Sequence, residues 1–103
     1  MTHTHFSPPG GILKREFLAP FGLSVNSAAK AMNIPRSRLN QIVRGERTIT
    51  ADTALRLGRF FGTGAEFWMN LQTHYDLAEA ETSSRKKLLR IPDVREFVEQ
   101  IEA

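Results

Sequence analysis

Cysteine is absent from the 103-residue sequence, which excludes disulfide bonds, thiolate metal ligands and thiol nucleophiles. Long apolar runs are also absent: no stretch approaches the ~20 apolar residues of a membrane span, and the N-terminal residues lack the apolar run of a signal peptide. These absences favour a reducing compartment, and we predict a cytoplasmic protein. The length predicts one domain with a modest core, which argues against a large enzyme with a deep cleft.

Catalytic and metal-binding patterns are missing too. His3, His5 and His74 are too scattered to suggest a catalytic or metal-binding group, and no lysine follows the glycines at the spacing of a phosphate-binding loop. We therefore predict no catalytic residue, no metal and no cofactor.

Apolar residues recur at helical spacing along nearly the whole chain, and no stretch alternates long enough to predict a strand. We predict an all-α fold with a flexible tail at residues 1–7, a five-helix domain at 8–84 and a C-terminal extension at 85–103 that forms a short amphipathic helix. Residues typical of helix ends mark the boundaries: Pro20 and Gly22 after the first helix, Ser24 and Asn33 around the second, Pro35 (in the first turn) and Gly45 for the third, Thr50 and Gly62 for the fourth, a Thr63/Glu66 capping box for the fifth, and Asp93 with Glu96 for the sixth.

Three apolar helix faces are expected to be buried: Ala54, Leu55, Leu57, Phe60 and Phe61 on the fourth helix, Phe67, Trp68, Leu71 and Tyr75 on the fifth, and Val94, Phe97, Val98 and Ile101 on the sixth. A helix of about ten residues is marginal alone, so the sixth should dock on this chain or on a partner. We take its four apolar residues as candidates for a dimer interface.

Charge is distributed unevenly, although the net charge is only +3. Between residues 30 and 59, seven basic residues stand against two acidic ones, whereas from residue 66 onward eight acidic residues stand against five basic ones. The basic residues of the middle segment are Lys30, Arg36, Arg38, Arg44, Arg47, Arg56 and Arg59. A basic middle is typical of nucleic-acid binding when the charges fall on one face.

The segment from Ser24 to Gly45 predicts two short helices joined by a tight turn. A small residue at Ala29 permits a close helix crossing, Asn33 tolerates the positive φ of a sharp turn, and Ile34 and Leu39 fill the angle between the helices. In such a helix-turn-helix unit, the second helix enters the DNA major groove.

The second helix of this unit is polar on its outward side, as base recognition requires. We predict base contacts from Arg36, Ser37, Arg38, Asn40 and Gln41. We predict phosphate contacts from Ser24, Asn26, Arg44, Arg47 and Thr48, with Ser37 as a further possibility.

The sequence also resembles a known family between Pro8 and Leu77. The resemblance is carried by the lead PPGGILKREFLAPFG and the run GLSVNSAAKAMNIPRSRLNQIVRGERTITADTALRLGRFFGTGAEFWMNLQTHYDL, and its most specific part is ITADTALRLGRFFGTGAEFWMNLQ. These segments are similar to the HigA (VapI-like) antitoxins of the phage-repressor-like (XRE) helix-turn-helix superfamily. Val25 departs from the pattern because related repressors often have a phosphate-binding glutamine there, and Asn33 stands where glycine is commoner.

The resemblance implies an antitoxin that binds double-stranded operator DNA, neutralises an mRNA-cleaving toxin of the HigB type and represses the shared operon as a homodimer. Two other readings stay open. The chain could be a solitary repressor without a toxin, or a toxin-binding scaffold whose acidic C-terminal part acts while DNA plays little role.

Overall fold

The computed structural model describes residues 7–102, and every regular element in that range is helical. Residues 1–6 of the predicted tail 1–7, with His3 and His5, lie outside the described residues. The helices are α1 (Pro9–Ile12, continued by a π-helical segment Leu13–Leu18 and a 3-10 turn Ala19–Phe21), α2 (Val25–Met32), α3 (Arg36–Val43), α4 (Ala51–Phe61), α5 (Ala65–Leu88) and α6 (Val94–Glu102). The predicted all-α fold of five helices plus a C-terminal helix is confirmed.

The first helix begins with proline and ends with proline and glycine. Pro9 occupies the first turn, where a missing N–H costs nothing. Pro20 lies in the closing 3-10 turn, and Gly22 ends it in a left-handed conformation with φ 65°. Between them, Leu13 and Leu18 are buried in the core.

The predicted ends of α2 and α4 are confirmed by hydrogen bonds. The Ser24 Oγ accepts the Ser27 N–H at 3.0 Å, and the Thr50 Oγ1 accepts the Thr53 N–H at 3.4 Å. The predicted position of Pro35 in the first turn of α3 is wrong by one residue. Pro35 is the N-cap, and the helix begins at Arg36. The reason is its ψ of 134°, which is extended rather than helical.

An aromatic cluster joins the first helix, α4 and α5. Trp68 is fully buried, and its ring centroid lies 4.8 Å from that of Phe17 and 6.2 Å from that of Phe61. The Trp68 indole donates to the Thr63 Oγ1 at 2.8 Å, which satisfies its only polar atom. The predicted capping box at Thr63 is wrong because Gly64 is the N-cap and Thr63 serves the tryptophan instead.

Two predicted core residues of α4 are exposed. Leu55 is 63% exposed and Phe60 is 40% exposed, whereas Ala54 and Leu57 are completely buried. An eleven-residue helix turns through a full circle about three times, so the broad apolar face extends beyond the part that α5 and α2 cover. Phe67 on α5 is likewise 38% exposed.

The fifth helix runs on through Ser84, where the sequence suggested a boundary, and ends at Leu88. The division into 8–84 and 85–103 therefore has no helix break to mark it. After the turn, α6 begins with the predicted capping arrangement: the Asp93 carboxylate accepts the Arg95 N–H at 2.8 Å, and the Glu96 carboxylate accepts the Asp93 N–H at 3.2 Å. All of α6 is exposed, so its apolar face is not docked on its own chain.

Gly10 fixes the distance between the first helix and α3. A Cβ atom at this position would overlap the carbonyl group of Ile42, which belongs to the buried side of α3. The adjacent Gly11 differs, because its Cβ would meet only the Arg15 guanidinium at 2.9 Å, the end of a flexible side chain.

We therefore expect Gly10→Ala to lower the free energy of unfolding by about 1–3 kcal/mol, the usual cost of overpacking. Gly11→Ala is the control and should change it by less than about 1 kcal/mol, with a tendency to stabilise because alanine favours a helix. Urea denaturation of the two variants checks this, and equal stability of both would contradict the close approach at Gly10.

Candidate nucleic-acid interface

The third helix presents one polar face to solvent. Leu39 and Ile42 are buried and Val43 is half-buried, so the opposite side of the helix is centred on Ser37, Gln41 and Arg44. These three positions are spaced as i, i+4 and i+7 and form one row along the helix. This row is the centre of what we call the polar face of α3.

The remaining predicted base-reading residues flank this row. Arg36 and Asn40 lie on one side of it and Arg38 lies on the other, according to their angular positions on the helix. Arg36 is exposed, whereas Arg38 and Asn40 are half-buried. The five predicted residues thus spread over a little more than half of the helix circumference, with Ser37 and Gln41 near the middle of that arc.

A hydrogen bond links α3 to the loop that follows it. The Arg47 Nε donates to the Gln41 Oε1 at 2.8 Å. The sequence predicts that Arg47 contacts phosphate and that Gln41 contacts bases, but it does not predict the hydrogen bond between them. The bond fixes which way the Gln41 amide points, so that its Nε2 donor faces away from Arg47.

The predicted phosphate ligands lie around this face. Asn26 is exposed in the first turn of α2, where free N–H groups and the helix dipole favour an anion, and Arg44 and Thr48 are exposed beyond α3. Ser24 is already engaged: its Oγ accepts the Ser27 N–H and donates to the Ser27 Oγ at 3.0 Å. A phosphate at Ser24 would compete with this capping bond.

The turn between α2 and α3 has the strained geometry that the sequence predicted. Asn33 has φ 56° and ψ 45°, and it is the sole non-glycine residue with positive φ between residues 7 and 102. The Ile34 N–H donates to the Ala29 carbonyl at 2.9 Å, and both residues are buried. The small Ala29 side chain and the plugging role of Ile34 and Leu39 are therefore confirmed.

Arg56 holds this turn in place, a role that sequence reasoning missed. Its Nη1 donates to the carbonyl oxygens of Met32 at 3.0 Å and Asn33 at 3.4 Å, and its Nε donates to the Asp52 carboxylate at 3.0 Å. A cation at the C-terminal end of α2 also opposes the negative end of the helix dipole. Arg56 belongs to the basic middle segment of the sequence, but in the fold it holds the α2–α3 turn from α4. The only sequence signal was its i, i+4 spacing from Asp52.

Within residues 7–102, no group of three or more His, Cys, Asp or Glu side chains is arranged to hold a metal ion. In the same part of the chain, no helix has the length and apolarity needed to cross a bilayer.

A short helix pair with a tight left-handed turn, whose second helix carries arginine, serine, asparagine and glutamine on its outward side, defines a helix-turn-helix domain. Comparison with known proteins agrees. The family model described as helix-turn-helix matches residues 14–68. Virulence-associated protein I of Dichelobacter nodosus is 52% identical over 84 residues, which span 82% of this chain and 78% of that protein.

Two solved structures are also similar. The antitoxin HigA of Pseudomonas aeruginosa, solved with the higBA promoter, has 45% sequence identity and a TM-score of 0.80, and the match covers 84% of this chain and 97% of that one. An addiction module antidote protein of the HigA family from Coxiella burnetii has 44% identity and a TM-score of 0.82, covering 87% of this chain and 99% of that one. The chain therefore belongs to the helix-turn-helix family that includes Virulence-associated protein I and the HigA antitoxins.

The brace formed by Arg56 can be tested by removing its guanidinium. We expect Arg56→Gln to lower the free energy of unfolding by about 2 kcal/mol, because two carbonyl groups and a carboxylate lose a charged donor. Lys30→Gln removes a positive charge from an exposed position of α2 beside the same turn and should change stability by less than about 0.5 kcal/mol. Thermal or urea unfolding checks both, and equal losses would show that charge alone is responsible.

Proposed function

We propose that this protein is a sequence-specific DNA-binding antitoxin that neutralises an mRNA-cleaving toxin of the HigB type and represses the shared operon as a homodimer. The observation that carries the proposal is the polar face of α3, which has the residue types that read base edges and stands clear of the core. Membership of the HigA-containing family supports it, since the Pseudomonas aeruginosa HigA antitoxin was solved with the higBA promoter.

In this proposal α3 lies in the major groove, which is about 12 Å wide and accepts one helix. Arg36 and Arg38 are suited to guanine, which offers two acceptors, and Asn40 and Gln41 are suited to adenine. Ser37, at the centre of the row, can serve either a base or a phosphate. The five residues supply the sequence preference.

Phosphate contacts on either side of α3 orient the domain. Asn26 with the N-terminal amides of α2 would hold one strand, and Arg44, Arg47 and Thr48 would hold the other. Ser24 contributes if its hydroxyl exchanges the contact with Ser27 for a phosphate. Val25 offers no side-chain donor, so the backbone of α2 must act there.

A homodimer follows from the geometry of operators. Two recognition helices reach two half-sites about 34 Å apart, one turn of DNA. The apolar residues Val94, Phe97, Val98 and Ile101 on α6 are exposed in a single chain and supply a surface for association. We assign residues 8–84 to DNA binding and residues 85–103 to assembly.

The proposed role requires no catalytic step, metal or cofactor. It places the protein in the cytoplasm, where a bacterial operator and a messenger RNA are both accessible.

The proposal is tested by co-expressing the chain with the product of its adjacent gene and purifying one of them by an affinity tag. We expect a stable complex that shifts promoter DNA, because an antitoxin and autorepressor must bind both. A promoter fragment with scrambled half-sites is the control and should bind at least about tenfold more weakly.

Each other outcome points to a different function. Promoter binding without a protein partner would indicate a solitary repressor. A stable complex that ignores DNA would indicate a toxin-binding scaffold. Failure of both interactions would overturn the proposal.

The contact between Arg47 and Gln41 predicts an unusual effect on recognition. Arg47→Ala should weaken binding to all sequences, lower the salt slope by about one unit and also relax the preference at the base pair that Gln41 reads. Arg36→Ala, by comparison, should relax preference at one base pair by about 1–3 kcal/mol with little loss on nonspecific DNA.

Arg47→Lys separates the two roles, because lysine keeps the charge for a phosphate but lacks the guanidinium geometry. Competition binding against single-base-pair operator variants at several salt concentrations measures these effects. If Arg47→Lys behaves as the unsubstituted protein at every base pair, Arg47 contacts phosphate only.

A further inference from the structure

A groove lies on the outer side of α4, away from α3. It consists of two shallow pockets that share Phe60. One of about 440 Å³ is lined by Ala31, Met32, Arg56, Arg59 and Phe60, and one of about 280 Å³ is lined by Phe21, Leu23, Phe60 and Phe61. Phe21 is 71% exposed at its edge. We call this surface the α4 groove.

The α4 groove carries an uncompensated positive charge. Arg59 forms no hydrogen bond or salt bridge within residues 7–102, in contrast to its neighbour Arg56, which is bound to Asp52 and to the turn. An apolar groove with one free guanidinium fits an apolar segment that carries a carboxylate.

The sixth helix has the complementary chemistry. Val94, Phe97, Val98 and Ile101 are spaced as i, i+3, i+4 and i+7, the pattern of an amphipathic helix that binds in a groove. Between residues 93 and 102, four acidic residues stand against one arginine. The angular position of Glu102 places its carboxylate at one edge of the apolar stripe, whereas the Asp93 carboxylate precedes the helix and accepts the Arg95 N–H.

The groove and α6 are held apart within one chain. The α4 groove adjoins the start of α5, because Phe61 packs against Trp68, whereas α6 follows the end of α5. The helix between them has 24 residues, a length of about 36 Å. All of α6 is exposed, and the molecule extends over 64 Å along its longest axis.

We propose that α6 of one protomer fills the α4 groove of a second copy of this chain, and that the second copy returns the same contact. The inference rests on the homodimer proposed above and specifies how that homodimer is built. Two reciprocal contacts form a closed, two-fold symmetric pair, in which each α6 stripe and each α4 groove is used once. The groove contains no residue of α3, so the polar face stays accessible to DNA.

The occupant is a second copy because the chain itself supplies both complementary surfaces in equal number. Pairing of α6 with another α6 would bring two acidic helices together and leave Arg59 without a carboxylate. A toxin seated in the groove would leave α6 exposed. These two arrangements are the alternatives that the experiment separates.

Site-directed cross-linking tests the pairing, and the absence of natural cysteine means that every cross-link reports the chosen positions. Ala31→Cys marks the groove and Ile101→Cys marks α6; both positions are exposed. The two singly substituted proteins are purified separately, mixed to allow exchange, and treated with a short bismaleimide. We expect a covalent dimer that contains one Ala31→Cys chain and one Ile101→Cys chain.

Other results would overturn the pairing in distinguishable ways. Cross-links only between two Ile101→Cys chains would show that α6 pairs with α6. A dimer by light scattering with no cross-link between the marked positions would place the interface elsewhere and leave the proposed homodimer intact. A monomer at all concentrations would remove the homodimer as well.

Substitutions give an independent measurement. Phe97→Ser on α6 and Phe60→Ser in the groove should each raise the dimer dissociation constant by at least about tenfold, since a buried aromatic anchor is lost. Leu89→Ser and Leu77→Ser are matched controls at residues 80% and 63% exposed outside both surfaces, and they should change it by less than about threefold.

Circular dichroism identifies any variant that fails to fold. If Phe60→Ser unfolds because of its contact with Phe61, the exposed Arg59→Glu tests the same groove through its charge. An unchanged dissociation constant for Phe97→Ser, or equal weakening by the controls, would overturn the proposed pairing.

Discussion

The tight turn at Asn33 is the constraint on which the rest of the molecule depends. Its left-handed backbone directs α3 across α2, the small Ala29 permits the close crossing, and Arg56 clamps the free carbonyl groups from α4. Gly10 sets the same helix pair against the first helix. The polar face of α3 is therefore positioned by contacts at Ala29, Arg56 and Gly10.

The two neighbouring arginines of α4 show how burial and hydrogen bonding divide residues of one type between tasks. Arg56 donates hydrogen bonds to Asp52 and to the turn, whereas Arg59, three residues later, has no such partner in the described range. One holds the DNA-binding unit together and the other leaves a positive charge on an apolar surface. Charge counting along the sequence treats them as equal, but the fold does not.

Most of the fold was predictable because interactions between residues close in sequence determine where its helices end. Ser24, Thr50 and Asp93 each accept a backbone N–H two or three residues away, and Asn33 and Gly62 end their helices through their own left-handed backbone. The failures involve contacts that helix-end patterns do not show: Thr63 accepts from the Trp68 indole instead of capping, and Phe60 lies outside the core. The site followed the same rule, since the polar face of α3 follows from helical period alone, whereas the Arg47 to Gln41 bond requires the loop conformation.

The unbroken course of α5 makes it a spacer with a fixed phase. Each residue of an α-helix advances the chain by about 1.5 Å and rotates it by about 100°, so the direction in which α6 leaves the domain is set by how many residues α5 contains. Lengthening or shortening α5 by one residue near Ser84 would swing α6 by more than a quarter of a circle. Only insertions or deletions close to a whole number of turns would keep the direction of α6. The number of residues in α5 therefore matters even where their side chains are exposed.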